Sequence, residues 1–178
     1  GTVWGWGENH THGKLGNGTN KDPPRGVLIP VSNMADAVDI DASIEHSVAL
    51  TSDNRVWAWG GNFSGQLGTT ESEFLDDRYT PITIVGLTGI IAIAAGDLHN
   101  LALKDDGTVF AWGSNFSGQV GNGTFSTFYS FVQPVSGLTD VVAIAAGSAH
   151  NLALKADGTV WAWGGNSSGQ LGDGTRQN

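Results

Sequence analysis

Short apolar runs alternate along this chain at a period of two, separated by glycine, aspartate and asparagine. In the run 108–112, Phe110 and Trp112 share one face while Val109 and Ala111 share the other, the pattern of a β-strand. Trp57 and Trp59 stand against Val56 and Ala58 in the same way, and Trp161 and Trp163 against Val160 and Ala162. A bulky face backed by a small one suits stacked sheets, because large side chains enter the space that small ones leave. Just upstream, Leu101 and Leu103 alternate with Ala102, and before them lies "AIAAG", a run small enough for a strand crowded on both sides. Asp106-Gly107 and Asp157-Gly158 separate the leucine run from the tryptophan run, and this dipeptide is the strongest short hairpin signal. A weaker fourth run follows each glycine-rich loop, around 27–31, 81–85 and 131–135. Proline at or near it suits an outer edge strand.

The set of runs is itself repeated. Trp6-Gly7, Trp59-Gly60, Trp112-Gly113 and Trp163-Gly164 recur at intervals of 53, 53 and 51 residues, and His46, His99 and His150 hold one position upstream of the last three. Four antiparallel strands with a period near 50 predict an all-β fold of β-propeller blades. Helical repeats of that length fail, since the alternation is period two and hairpin turns interrupt every unit. The expected organisation is a single partial propeller domain over 1–178. It has a leading partial blade at 1–37 and repeats at about 38–89, 90–140 and 141–178. Three repeats and a third do not close a ring, and open ends expose strand edges. The sequence is therefore expected to be an excerpt of a longer chain or, less favoured, to self-associate through open blade edges.

Composition narrows the function classes. Hydrophobic residues make up 39% and charged residues 14%, too apolar for a disordered segment. No apolar run approaches the ~20 residues that span a bilayer, so membrane insertion is not expected. Net charge is −9, and the eight Lys and Arg residues are scattered rather than clustered. A phosphate-tracking surface needs them together, so nucleic acid is not an expected partner. Cysteine is absent, which removes disulfides, thiolate metal sites and cysteine nucleophiles. The acidic, cysteine-free repeats point, weakly, to a secreted or cell-surface protein.

"GDLHNLALKDDGTVFAWGSNFSGQVGNGT" and "GSAHNLALKADGTVWAWGGNSSGQLGDGT" resemble the repeat of the regulator of chromosome condensation family. The shared order is Gly-x-x-His, Leu-Ala-Leu, Asp-Gly, Trp-Gly-x-Asn and Gly-Gln-Leu-Gly, and the likeness covers essentially the whole chain. The resemblance implies a propeller, usually of seven blades, whose rims bind proteins. Its members carry out nucleotide exchange on a small GTPase, ultraviolet sensing or inhibition of secreted enzymes, so family gives fold more firmly than function. The photoreceptor members carry Trp-Arg just ahead of the repeated histidine. Here those positions are Ile44-Glu45, Asp97-Leu98 and Ser148-Ala149, which disfavours light sensing. Exchange factors acting at chromatin use a basic tail, which this acidic chain lacks.

Candidate chemistry is sparse. The glycine-rich loop superficially offers a phosphate cradle, but no helical period follows any copy, so it is read as structural. The repeated His46, His99 and His150 are expected to be buried and bonded to backbone within each blade rather than to share a metal. Trp6, Trp59, Trp112 and Trp163 are expected to pack between blades. His10 and His12 beside Glu8 are read as a solvated loop, with a metal site as the alternative. Glu71, Glu73, Asp76 and Asp77 are likewise read as a solvated acidic run, with a basic partner as the alternative. The six Asn-x-Ser/Thr matches at Asn9, Asn17, Asn62, Asn115, Asn122 and Asn166 mostly belong to the repeat itself and are poor evidence of glycosylation.

Departures from the repeat carry the functional expectations. Phe125, Phe128, Tyr129 and Phe131 gather on one loop as candidate anchors for a protein partner, with a capping role at the blade edge as the alternative. Asp39 and Asp41 replace Ala92 and Ala94 of the next repeat, and two carboxylates at i and i+2 are an acid/base candidate. Neither has a placed nucleophile or third group. The expected function is therefore a non-enzymatic scaffold that binds protein through rim loops without a cofactor or metal. Regulation of a small GTPase is the alternative.

Overall fold

The computed structural model describes residues 1–69, 75–126 and 130–178. Among them are thirteen strands and no helix. A short pair comes first, β1 (Trp4–Gly5) with β2 (Ile29–Pro30). Next is a four-stranded sheet of β3 (Ala37–Ala42), β4 (His46–Thr51), β5 (Val56–Gly60) and β6 (Arg78–Thr83). A second holds β7 (Ile90–Ala95), β8 (His99–Lys104), β9 (Val109–Gly113) and β10 (Ser130–Pro134), and a third has β11 (Val141–Ala146), β12 (His150–Lys155) and β13 (Val160–Gly164). Every sheet is an antiparallel meander in chain order, as expected of propeller blades.

Innermost are β3, β7 and β11, with β7 lying against both β3 and β4 of the blade before it. Each inner strand carries a register shift near its start, at Ala37/Asp39, Ile90/Ala92 and Val141/Ala143. The proline-bearing fourth strands are outermost, and β6 begins at Arg78, earlier than its apolar residues suggest.

The core lies between blades. Val48, Leu50, Val56 and Ala58 of one blade meet Ile90, Ile93, Ala102 and Trp112 of the next. Leu101, Leu103, Val109 and Ala111 meet Val141 and Ala153, with Trp163 packed alongside. The bulky tryptophan of each central blade thus enters the small-residue face of the blade before it. Trp6 departs from the expectation: it is 66% exposed, whereas Trp112 is 0% exposed. Trp59, Trp112 and Trp163 each reach a loop of the preceding blade through Nε1.

Candidate functional site

The chain alternates direction four times per blade, so its connections fall on two rims. The β3–β4, β7–β8 and β11–β12 turns lie beside the loops that leave β5, β9 and β13, joined by Gly61 N to Glu45 O, Ser114 N to Leu98 O and Gly165 N to Ala149 O at 2.7–2.9 Å. We call this the loop rim. The tight hairpins at 52–55, 105–108 and 156–159 form the opposite rim.

On the loop rim the repeated residues assemble a clamp across each blade junction. The Gln66 carbonyl accepts Trp112 Nε1 at 3.0 Å and Asn100 Nδ2 at 2.8 Å, both from the next blade. Asn100 Oδ1 meets His46 Nε2 at 2.7 Å, returning to the first blade. One junction further on, the Gln119 carbonyl accepts Trp163 and Asn151, and Asn151 Oδ1 meets His99 Nε2 at 2.7 Å. The leading junction is a variant in which the Lys14 carbonyl accepts Trp59 Nε1 and Ser47 Oγ. The three histidines were expected to bond to backbone within their own blade; His46 and His99 bond instead to an asparagine of the next, while His150 is half-buried. Because the asparagine amide nitrogen is committed to a carbonyl, its oxygen faces the ring, and the proton is assigned to Nε2.

Burial pushes the His46 imidazole down to about 4, against the opposing pull of Asn100. Burial likewise pushes His99 down. Both rings are therefore neutral donors at pH 7. Ser43 Oγ faces His46 Nδ1 at 2.7 Å and donates its proton there. Gly96 replaces this serine in the next blade, where His99 packs so close that a Cβ on Gly96 would lie 2.1 Å from its Cε1. That approach accounts for the glycine of Gly-x-x-His. The glycine of Trp-Gly answers a different need: Gly113 has φ 98°, and a Cβ there would lie 2.5 Å from the Leu98 carbonyl.

Buried asparagines organise the glycine-rich loops. Asn62, Asn115 and Asn166 each accept the amide five residues on, from Leu67, Val120 and Leu171, at 3.0 Å, and Asn9 does the same for Leu15 in the longer first copy. Their own amides donate within the loop. Four of the six glycosylation matches are therefore sealed inside the folded chain.

Other candidates are placed individually. Asp41 uses one oxygen on Ala42 N at 2.8 Å and the other on Ala95 N of the next blade at 2.9 Å, while Asp39 caps Ile40 N. Asp41 is thus a junction brace on the inner strand. His10 is exposed beside Asp22. His12 is half-buried, with Asp77 at 2.7 Å on Nδ1 and Glu45 at 3.1 Å on Nε2, and Asp77 also accepts Asn62 N. Asp77, read from sequence as part of a solvated run, is instead bound into the first blade junction. Among the described residues no group of three His, Asp or Glu side chains is arranged to hold a metal. Phe125 is 65% exposed, and Phe131 is exposed on β10. Phe128, Tyr129, Glu71 and Glu73 lie outside the described residues. Sequence reasoning missed Asn100, Asn151 and the Gln66 and Gln119 carbonyls; the His-Asn and Gly-Gln repeats were their signal.

Models of the regulator of chromosome condensation (RCC1) repeat match at 37–66, 90–119 and 141–170, and in a second framing at 1–50, 53–103 and 106–154. The chain belongs to the RCC1 repeat family. Each match of the first framing runs from an inner strand to the glutamine at the end of the clamp, Gln66, Gln119 or Gln170. The RCC1 repeat as a sequence unit thus spans a blade's histidine and the carbonyl that receives the next blade. The chain is 42% identical over 131 residues to probable E3 ubiquitin-protein ligase HERC6 of Homo sapiens, covering 71% of this chain and 13% of that protein. It is 33% identical over 181 residues to E3 ubiquitin-protein ligase HERC2 of Homo sapiens, covering 98% of this chain and 4% of that one. The crystal structure of Prp20p from Saccharomyces cerevisiae, a protein studied for its binding to Gsp1p and histones, superposes with a TM-score of 0.78 at 24% identity, over 99% of this chain and 44% of Prp20p. These RCC1 repeats therefore span a minor part of each relative.

Proposed function

We propose that this RCC1 repeat domain is a non-enzymatic scaffold that holds a protein partner through its loop rim. The supporting observation is a division of labour among side chains. His46, His99, Asn100, Asn151, Trp112 and Trp163 are committed to blade junctions through the polar atoms that make those bonds. What remains exposed on the rim includes a side chain that departs from the repeat. Phe125 stands where the equivalent loops have Asn20 and Arg176, and it projects into solvent. An exposed ring on a loop held by a rigid scaffold is a favourable anchor for a partner. Ligase activity belongs to the whole proteins named above, of which this chain covers 13% and 4%.

Affinity capture with the full chain, repeated with Phe125→Ala and Phe131→Ala, tests the scaffold. A protein retained by the wild type and lost with these variants is the expected result. Retention unchanged by either substitution overturns the rim assignment. A second reading, regulation of a small GTPase, draws on the likeness to Prp20p, which binds Gsp1p. Accelerated nucleotide release from a GTPase in the presence of this chain would favour it over a passive scaffold.

A further inference from the structure

Phe63 and Phe116 occupy the same position in adjacent blades, directly after the buried asparagine of the loop, and are 52% and 60% exposed. The third copy has Ser167 there and keeps the loop intact. Asn166 still accepts Leu171 N at 3.0 Å, and Ser168 N still donates to Gln170 Oε1 at 2.8 Å. The corresponding bonds around Phe63 and Phe116 are the same within 0.1 Å. The loop therefore folds equally well without an aromatic ring, and neither phenylalanine is explained by packing.

The row continues on both sides. Phe125 lies over Gly118 of the Phe116 loop, where a Cβ would come within 3.1 Å of its Cε1. On the other side the His12 ring lies 6.3 Å from that of Phe63. Asp77 and Glu45 meet at His12 beside Phe63, and Asp97 sits in the β7–β8 turn of the same rim with Ser148 donating to it. Lys14, the nearby lysine, is held by the Ile44 carbonyl at 3.0 Å and by Glu8 at 3.6 Å. The chain as a whole carries −9.

Aromatic faces set among carboxylates suit one kind of group above others. A guanidinium stacks flat on a ring while its edge donates two parallel bonds to a carboxylate, whereas an ammonium provides only a point charge. We propose that the row Phe63–Phe116–Phe125, with the Glu45 and Asp97 carboxylates, docks an arginine-rich extended segment of a protein partner. This rests on the scaffold reading above and adds the chemistry of the partner.

The test is fluorescence anisotropy of a labelled octapeptide of alternating Arg and Gly against the full chain and its Phe63→Ser/Phe116→Ser double variant. The serines copy what Ser167 already does, and an unchanged unfolding midpoint verifies the fold. We expect the double variant to bind about tenfold more weakly, the sum of two exposed cation–π contacts. The matching Lys-Gly peptide should bind the wild type less tightly than the Arg-Gly peptide, and an Asp-Gly peptide should not bind. Equal affinity of the Arg-Gly peptide for both proteins, tighter binding of the Asp-Gly peptide, or no binding at all overturns the proposal. If capture through Phe125 succeeds while the Arg-Gly peptide fails, the scaffold stands and the arginine-rich partner falls.

Discussion

His46 is held between Ser43 of its own blade and Asn100 of the next, 54 residues away, with no exposed surface. Its folded-state value of about 4 lies below the ordinary 6.5, so between these values the unfolded chain binds the proton and the folded chain does not. Stability is fully present above pH 6.5 and falls as pH drops toward 4, by up to about 3 kcal/mol from this ring. Urea unfolding at several pH values should show that slope, and it should be reduced in His46→Gln, which cannot take up the proton. An unchanged slope would contradict the burial argument. Gly96 tests the same packing from the other side. With a Cβ position only 2.1 Å from His99, Gly96→Ala should cost about 1–3 kcal/mol by overpacking, read as a lower denaturant midpoint. The histidine positions were legible in the sequence because they repeat. Their partners were not, because alternation along a strand says nothing about which residue of another blade lies opposite.

At the level of elements, the strands were legible because two faces of different size repeat in every copy. Trp112 fills the gap between the β3–β6 and β7–β10 sheets, and Trp112→Ala should cost about 3–5 kcal/mol through the cavity it leaves. Trp6→Ala, at an exposed ring, should stay within about 0.5 kcal/mol. Denaturant midpoints of the two variants check this contrast, and equal losses would refute the assignment of the junctions. The sequence pattern alone treats Trp6 and Trp112 as equivalents, since a local motif does not record which residues of another blade lie against it. The outer strand was located less well for a related reason. Arg78 of β6 pairs with Gly60 of β5, and the Tyr79 carbonyl accepts Gly18 N, so this end of the strand offers no alternating apolar face to be read.

At the scale of the molecule, each junction is closed by groups from two blades, so the repeat is a device for adding the next blade. Asp41, once a candidate for acid/base chemistry, joins this scheme through its bond to Ala95 N. The residues proposed for docking were legible only by contrast with the repeat. Phe125 broke the pattern visibly, whereas Phe63 and Phe116 were hidden inside the repeated phrase until Ser167 showed that the loop does not need them. A secreted or surface location gains nothing from the fold, because blade packing draws on neither cysteine nor net charge. That the repeated polar residues act between blades is tested most directly by a double-mutant cycle on unfolding free energy with His46→Ala and Asn100→Ala. The account predicts a coupling of about 1–3 kcal/mol between the two sites. Additive losses, within about 0.5 kcal/mol, would contradict it.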